Sequence, residues 1–257
     1  MGKTTSSAGI ESIKKDEGSI DGVYNDPSGF CTFGVGHLVH NAIDKWECFL
    51  LAAALSDKIC DANVKKWSTA QVQYLERAVL GAKEFEELKK KAIERAQEIV
   101  SKKKHSKAFA ELPEAQKQSM TSVAEAAVKE ESRLLTKTVS DVLQEDLKPF
   151  EQASNDSVTA VVLTQEEFDA LVSLAFNIGT SNFKSSNLVK KINENKYRNG
   201  EVQAREVAID EIEKEFTKWN KSGGKLLTGL TTRRKDEAAR FLKKAKDELD
   251  NLKKAKK

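Results

Sequence analysis

Residues 17–37 constrain the fold more than any other stretch, because a helical pattern ends and a strand pattern begins there within a few positions. Just upstream, Ile10 and Ile13 lie three residues apart, as on one face of a helix. Gly18 predicts a left-handed C-terminal stop for that helix. Glu17 is therefore expected on the last helical turn, at the negative end of the helix dipole.

A β-hairpin is predicted directly after this helix. Residues 20–25 read as a strand, residues 25–29 combine Asn, Asp, Pro, Ser and Gly, and residues 30–35 read as a returning strand. Because side chains alternate along a strand, Thr32 can share a face with a carboxylate at the turn. Gly36 leaves room for a ligand to approach the backbone.

Two carboxylates on different supports suit the hydrolysis of a glycosidic bond. Glu17 is placed at a helix end and Asp26 on a hairpin turn, so the two groups have different surroundings. Glycoside hydrolysis requires one carboxylic acid that donates a proton to the leaving oxygen. It also requires a second, ionised carboxylate that assists water or stabilises positive charge on the sugar.

The spacing of these residues resembles the signature of a known enzyme family. In this pattern, eight residues separate Glu17 from Asp26 and five separate Asp26 from Thr32, and Gly34-Val35-Gly36-His37 follows. The pattern is similar to that of the phage-type lysozymes. These enzymes form glycoside hydrolase family 24, the muramidases of tailed bacteriophages. The resemblance implies an α+β, predominantly helical, two-lobe lysozyme-like fold with a small β-hairpin lobe and a helical C-terminal lobe.

The resemblance also implies the reaction and the roles of the residues. Peptidoglycan would be cleaved at the β-1,4 bond between N-acetylmuramic acid and N-acetylglucosamine, with inversion and without a metal or organic cofactor. Glu17 is then the general acid, Asp26 positions water or stabilises the oxocarbenium-like state, and Thr32 holds the water. Inversion predicts carboxyl groups about 6.5–9.5 Å apart.

Two later blocks extend the resemblance. Residues 163–179 begin with a capping box and end in Phe-Asn-Ile-Gly, which resembles the core helix bordering the substrate cleft. Residues 210–237 resemble the glycine-punctuated turn and arginine-led final helix of the family. The implied substrate-binding residues are His37, Asn177, Gly36 and Phe33. An arginine near the catalytic Glu is also implied, with Arg234 as the first candidate and Arg233 as the alternate.

A long Ala-, Glu-, Lys- and Leu-rich stretch separates the hairpin from these blocks and predicts helices at about 43–60, 69–104 and 113–135. Apolar residues at helical spacing from Tyr74 to Val100 predict a buried stripe on the second of these helices. The connection is much shorter in compact phage lysozymes, so this stretch reads as an inserted helical module. The predicted organisation is a catalytic lobe at 1–43, the insert at 44–137, the inter-lobe helix and C-terminal lobe at 138–245, and a basic tail at 246–257. A fraying helix is expected beyond residue 242.

The three cysteines are an odd number without the spacing of a metal-ligand cluster. If Cys48 and Cys60 lay on one helix they would be about 18 Å apart, beyond disulfide reach. The sequence therefore predicts free thiols at Cys31, Cys48 and Cys60, as suits a reducing cytoplasm. His40 is read as a structural or surface residue.

Composition excludes few classes of function. The 257 residues are 39% hydrophobic and 32% charged with a net charge of +3, so nothing global indicates nucleic-acid binding. The polar N-terminus lacks the apolar segment of a signal peptide, and the longest apolar run is far below the roughly 20 residues of a membrane span. We expect a soluble protein without stable membrane insertion, made in the host cytoplasm and reaching the wall through a holin or from the virion.

Two alternatives to catalysis stay open at this stage. The same scaffold could be a non-catalytic wall-binding or virion-associated module, with the insert as its working surface. It could also be a bacteriocin-like toxin whose insert engages a protein or wall partner. The complete set Glu17, Asp26 and Thr32 favours catalysis.

Overall fold

The computed structural model describes residues 2–26, 28–40, 48–50, 53 and 82–255. The elements in chain order are α1 (Ser7–Glu17), β1 (Ile20–Asn25), β2 (Cys31–Gly34), β3 (His37–Leu38), α2 (Ala82–His105), α3 (Glu114–Leu134), α4 (Val139–Ser157), α5 (Gln165–Ile178), α6 (Thr180–Ser185), α7 (Asn187–Asn193), α8 (Val202–Thr217), β4 (Lys221–Ser222), β5 (Lys225–Leu226) and α9 (Thr228–Ala255). The predicted α+β, predominantly helical class is confirmed. Within the described ranges, no helix has the length and apolar character needed to cross a membrane.

The chain forms two compact units. The first combines Met1–Asp16 with Gln144–Lys257, and the second is Glu17–Leu143. Helix α4 begins in the second unit and ends in the first. The domain boundaries expected from the sequence stay predictions.

Buried side-chain acceptors hold the N-terminal segment within the first unit. The backbone N–H of Thr5 donates to Glu151 Oε1 at 2.7 Å, and that of Ser6 donates to Asp169 Oδ1 at 3.0 Å. The Ser6 hydroxyl caps the helix by accepting from Gly9 N at 3.1 Å. These bonds satisfy N–H groups that would otherwise lack partners, so they fix where α1 begins and how it runs.

Helix α5 is the core of the first unit. Its predicted capping box is confirmed: Glu167 N donates to Thr164 Oγ1 at 3.3 Å, and Thr164 N donates to Glu167 Oε2 at 2.6 Å. The helix is apolar most of the way round and packs against α9. Its buried apolar residues are Phe168, Ala170, Leu171, Val172, Leu174 and Ala175.

One local prediction in this unit was right and one was wrong. Asn155, Asp156 and Ser157 predict a helix break, and α4 ends at Ser157. The Asn155 side chain accepts from Lys3 N and donates to Lys3 O, both at 2.9 Å, so it also bonds another segment. A loop was predicted at 181–186, before the next helix, but this stretch contains the short helix α6.

The second unit contains an antiparallel sheet in the order β1-β2-β3. Tyr24 pairs with Thr32, and Phe33 pairs with His37. The hairpin prediction is confirmed, although β2 is shorter than the expected 30–35. Strand β3 was not predicted, because its two residues are too few to show a period.

The free-thiol prediction was wrong for two of the three cysteines. Cys31 and Cys48 form a disulfide with their Cα atoms 4.8 Å apart. Cys48 is held beside the hairpin because its N–H donates to Asn25 Oδ1 at 3.0 Å. Helical spacing could not reveal this pair, because the two cysteines meet through tertiary structure. Cys60 lies outside the described residues.

The described part of the predicted insert contains α2 and α3, which pack against each other. The predicted apolar stripe is confirmed where it falls on α2, since Phe85, Leu88, Ala92, Ala96 and Val100 are buried. Ile93 and Ile99 are half-buried. Tyr74, Leu75 and Val79, and most of the helix expected at 43–60, lie outside the described residues.

The C-terminal end of the first unit begins with a tight hairpin. Gly223 and Gly224 connect β4 to β5 with φ angles of 55° and 78°, which a two-residue hairpin turn requires. Helix α9 then runs to Ala255 and packs against α8. Because Ala245 and Leu249 are buried, the helix is anchored well beyond the fraying end expected after residue 242.

Candidate active site

The structure places Glu17 at the C-terminal residue of α1, as predicted. Gly18 follows with φ of 76°, the left-handed stop. The Glu17 side chain is exposed. A carboxylate here is carried by the end of a helix and is exposed, so a ligand can reach it.

Asp26 organises the turn between β1 and β2. Its Oδ1 accepts from Ser28 N at 2.8 Å and from Phe30 N at 2.9 Å. Its backbone closes the hairpin, since Asp26 N donates to Phe30 O at 2.9 Å and Gly29 N donates to Asp26 O at 2.8 Å. The carboxylate is therefore fixed by the backbone of the turn that it shapes.

Thr32 is tied to the same turn through Phe30. Its hydroxyl donates to Phe30 O at 3.2 Å, and this carbonyl also accepts from Asp26 N. Thr32 is only 2% exposed. Since the hydroxyl proton is directed to Phe30, Thr32 Oγ1 can bond another group only as an acceptor. The structure thus joins Asp26 and Thr32 through one residue.

Tyr24 is a neighbour of this site that the sequence reasoning missed. Burial raises the pKa of its hydroxyl, a hydrogen bond from the Gly36 backbone lowers it, and the negative charge of Asp26 raises it. Its position opposite Thr32 in the β1–β2 register could have identified it, had the register been assigned.

The residues expected to touch substrate have different exposures. Gly36 is exposed with φ of 74°, and a Cβ there would meet no atom within 4 Å, so its backbone is open to a ligand. His37 is half-buried near Glu130, whose pKa is lowered chiefly by hydrogen bonds from Arg133 and further by His37. Phe33 is 2% exposed and packs in the core of its unit, so its ring offers almost no surface to a sugar.

The other predicted site residues belong to the first unit. Arg233 and Arg234 are buried and both hydrogen-bond to Glu237 Oε1 at 3.2 Å. Ser173 Oγ also donates to this oxygen, at 2.7 Å. Burial raises the pKa of Glu237, against the charges of Arg234 and Arg233 and the Ser173 hydrogen bond. Arg233 Nε lies 3.7 Å from Asp16 Oδ2, so it reaches the penultimate residue of α1.

Asn177 and Trp219 are less enclosed than this arginine cluster. Asn177 is exposed on the last turn of α5, and Trp219 is half-buried just after α8. The place of Asn177 at a cleft stays a prediction.

One group of side chains in the second unit has the composition of a metal site. Ligand atoms of Cys31, His40 and Glu131 all lie within 4.8 Å of one another, and all three residues are buried. No cysteine-containing cluster was predicted from the sequence. Glu131 is 91 residues from His40, so spacing could not show that it joins Cys31 and His40.

Together these elements define a predominantly helical α+β protein with one carboxylate at a helix end and a second one on a hairpin. The family model for phage lysozyme matches residues 83–237, more than half of the chain. The chain therefore belongs to the phage lysozyme family.

Similar proteins include several endolysins. That of Bacillus phage PZA is 39% identical over 108 residues, covering 42% of this chain and 37% of that protein. The endolysin of Bacillus phage B103 is 38% identical over 101 residues, which cover 39% of this chain and 34% of that protein. The endolysin of Salmonella phage P22 is 38% identical over 103 residues, which cover 40% of this chain and 61% of that protein. The chain spans about a third of the length of the two Bacillus phage relatives.

Solved structures with similar chains include the muramidase domain of SpmX from Asticaccaulis excentricus. It aligns over 94% of this chain and 99% of its own, with 20% identity and a TM-score of 0.46. A mutant P22 lysozyme aligns over 93% of this chain and 99% of its own, with 23% identity and a TM-score of 0.46.

Proposed function

We propose that this protein is a peptidoglycan-degrading lysozyme, an N-acetylmuramidase that hydrolyses the β-1,4 bond between N-acetylmuramic acid and N-acetylglucosamine. The observation that carries the proposal is the arrangement of Glu17, Asp26 and Thr32 on a helix end, a turn and the strand that follows it. Membership of the phage lysozyme family supports the same reaction class. The family match begins at residue 83, beyond the hairpin, so the roles of the three residues are part of the proposal.

Glu17 serves as the general acid. Its exposed carboxyl group donates a proton to the glycosidic oxygen as the bond to the anomeric carbon breaks. The rigid helix holds the proton donor in place, so little reorganisation is needed on substrate binding.

Asp26 and Thr32 handle the attacking water. Oδ1 of Asp26 is held by two turn N–H groups, which leaves Oδ2 to accept a proton from water or to face the positive sugar. Thr32 Oγ1 accepts the second hydrogen of the same water, because its own proton is directed to Phe30. Water then attacks from the face opposite the leaving group, and the configuration is inverted.

The surrounding residues have supporting roles. His37 and the backbone of Gly36 contact the glycan, and Phe33 supports the sheet from the core. A glycan contact of the Asn177 amide is a separate prediction for the first unit. Arg233 holds the end of α1 through Asp16, with Arg234 beside it. The reaction needs neither an organic cofactor nor nucleic acid.

The protein acts on the bacterial cell wall, reached through a holin-opened membrane or from the virion. A disulfide between Cys31 and Cys48 suits an oxidising compartment such as the periplasm. A protein or wall partner of the inserted helices is part of this proposal.

The test is the variant Glu17→Gln, which keeps the size of the side chain and removes its acid. Lysis of purified cell walls, followed as turbidity and as new reducing ends, should fall at least about 100-fold with the circular dichroism spectrum unchanged. Glu11→Gln is the matched control, because Glu11 is also exposed on α1 and should leave lysis unchanged. A fully active Glu17→Gln protein would overturn the assignment, and a parent protein that binds walls without clearing them would favour the binding module.

A further inference from the structure

A buried cluster in the second unit offers four side chains that commonly bind metal ions. Cys31 lies on β2, His40 follows β3, and Glu131 lies on α3. Cys48 adds the fourth side chain, because it is joined to Cys31. Cys48 is 0% exposed and Glu131 is also 0% exposed. The candidate active site does not use this cluster.

The cluster is held in place by the backbone around it. Glu131 Oε1 accepts from Phe49 N at 2.8 Å, and Oε2 accepts from Leu50 N at 2.7 Å. His40 Nε2 is hydrogen-bonded to Glu131 Oε1 at 2.8 Å. Three neighbours therefore orient the carboxylate, which still has acceptor capacity on Oε2.

This donor set matches the requirements of zinc. Two thiolates, one imidazole nitrogen and one carboxylate oxygen complete a tetrahedral site, with ligand bonds of about 2.0–2.3 Å. Ligand atoms in such a site are about 3.3–3.8 Å from one another. The Cys31, His40 and Glu131 atoms already lie within 4.8 Å of one another. Cys48 Sγ is not part of that group but is bonded to Cys31 Sγ, so after reduction the Cys48 side chain has to turn toward the other three ligand atoms. A metal ion would replace the hydrogen bond between His40 and Glu131.

We propose that, when the Cys31–Cys48 disulfide is reduced, the protein binds one zinc-type divalent ion through Cys31, Cys48, His40 and Glu131. The metal and the disulfide are alternative cross-links of the same cluster. A divalent cation would add a positive charge beside the buried Glu131 carboxylate, whose partners are His40 and two backbone N–H groups.

The interchange balances as thiol–disulfide exchange. Two molecules of a low-molecular-weight thiol reduce the Cys31–Cys48 bond, giving two cysteine thiols and one disulfide of the reagent. Each cysteine thiol loses its proton when the ion binds. A low-molecular-weight disulfide reverses the step: its S–S bond breaks, the Cys31–Cys48 bond forms, and the reagent leaves as two thiols that take up two protons. The ion is released because a disulfide sulfur is a poor ligand.

Cobalt is the probe, because its visible and near-ultraviolet bands report thiolate ligation in tetrahedral sites. The full chain carries Cys60→Ser, so that the third cysteine contributes no thiolate. After reduction and removal of the reductant, one equivalent of Co²⁺ should bind and show a sulfur-to-cobalt charge-transfer band. The oxidised protein should show no such band, and zinc should displace cobalt from the reduced one.

His40→Gln and Glu131→Gln should each weaken cobalt binding at least about 100-fold, since changes even in outer-shell partners lower affinity 10- to 100-fold. His105→Gln is the matched control, because His105 ends α2 outside the cluster and should leave binding unchanged. If Glu131→Gln fails to fold, His40→Gln alone decides the matter.

Three results would overturn the proposal. They are a reduced Cys60→Ser protein without the charge-transfer band, a His40→Gln protein with parental cobalt affinity, and a His105→Gln protein that loses binding. The readout is metal binding, so it is independent of whether the protein lyses cell walls.

Discussion

The Asp26 side chain stabilises the hairpin turn and also supplies a carboxylate to the candidate site. Its Oδ1 fixes the turn through two backbone N–H groups, and its charge acts on the neighbouring Tyr24. Ordinary turn chemistry explains an Asp at this position, so the residue alone is weak support for catalysis. The hydrogen-bonded link through Phe30 to Thr32 is more specific, because it places a second polar group against the same turn.

Replacing Asp26 by Asn separates these two roles. The amide oxygen can still accept the turn N–H bonds, so the protein should fold, but without the negative charge wall lysis should fall at least about 100-fold. The pKa of Tyr24 should fall, because the Asp26 charge raises it. NMR titration of Tyr24 measures the second effect.

Asp21→Asn is the matched control, since Asp21 is exposed on β1 and should leave lysis as in the parent. An Asp26→Asn enzyme with full activity would remove Asp26 from the mechanism.

At the scale of elements, β2 and its turn to β3 depend on two glycines in the left-handed region. Gly34 has φ of 60°, and a Cβ there would lie 2.9 Å from Val139 Cγ1. Gly36 has φ of 74°, but a Cβ there would meet nothing within 4 Å. The two positions share the backbone strain and differ in packing, so they can be compared directly.

Gly34→Ala should therefore destabilise the protein more than Gly36→Ala. Backbone strain applies to both and is worth about 1–2 kcal/mol, while the clash with Val139 adds about 1–3 kcal/mol for Gly34 alone. Urea unfolding measures both free energies. Equal losses of stability would show that the clash is relieved without cost.

The start of helix α4 has a charge-dependent cap. The Thr138 hydroxyl donates to Asp141 Oδ2 at 2.7 Å, and Asp141 N donates to Thr138 Oγ1 at 3.1 Å. Hydrogen bonds from the Thr138 side chain and backbone lower the pKa of Asp141. The stability that this carboxylate contributes is therefore present above its unfolded pKa and is lost as pH falls through the lower folded pKa.

Asp141→Asn should lower the free energy of unfolding near pH 7, and the difference from the parent should shrink toward about pH 2, where the parent carboxyl is protonated. Urea unfolding at both pH values provides the measurement. A difference that stays constant with pH would mean that the cap acts through the hydroxyl alone.

At the scale of the whole molecule, the basic C-terminal residues are part of a packed helix. Ala245 and Leu249 are buried, whereas most residues beyond Leu249 are exposed. Lys246 pairs with Glu213 at 2.7 Å, and Lys253 pairs with Glu206 across partly exposed surface. Such ion pairs contribute little to stability, so packing sets the length of chain that the fold needs.

Ending the chain after Leu249 should leave stability and wall lysis close to those of the full protein. Ending it after Lys244 removes two buried side chains and should cost about 2–5 kcal/mol, measured by urea unfolding. The truncation after Leu249 removes the basic end of the chain and keeps the buried residues of α9. Loss of wall binding in that variant would identify the end of α9 as a binding surface.

The sequence by itself determined the local structure and the candidate site. Caps, glycine stops and turn residues act on neighbours within a few positions, so they located α1, the hairpin and the start of α5. The pattern from Glu17 to His37 pointed to the lysozyme family for the same reason, since its members lie within one stretch.

Only the tertiary structure decided which distant residues meet. Cys48 is beside Cys31 because of its contact with the hairpin, and Glu131 occupies an apolar face of α3 because His40 and two backbone N–H groups satisfy it there. The burial of Arg233 and Arg234 depends in the same way on Glu237 and Ser173. The free energy of a buried polar group depends on partners that come from elsewhere in the chain, and sequence spacing carries no record of them.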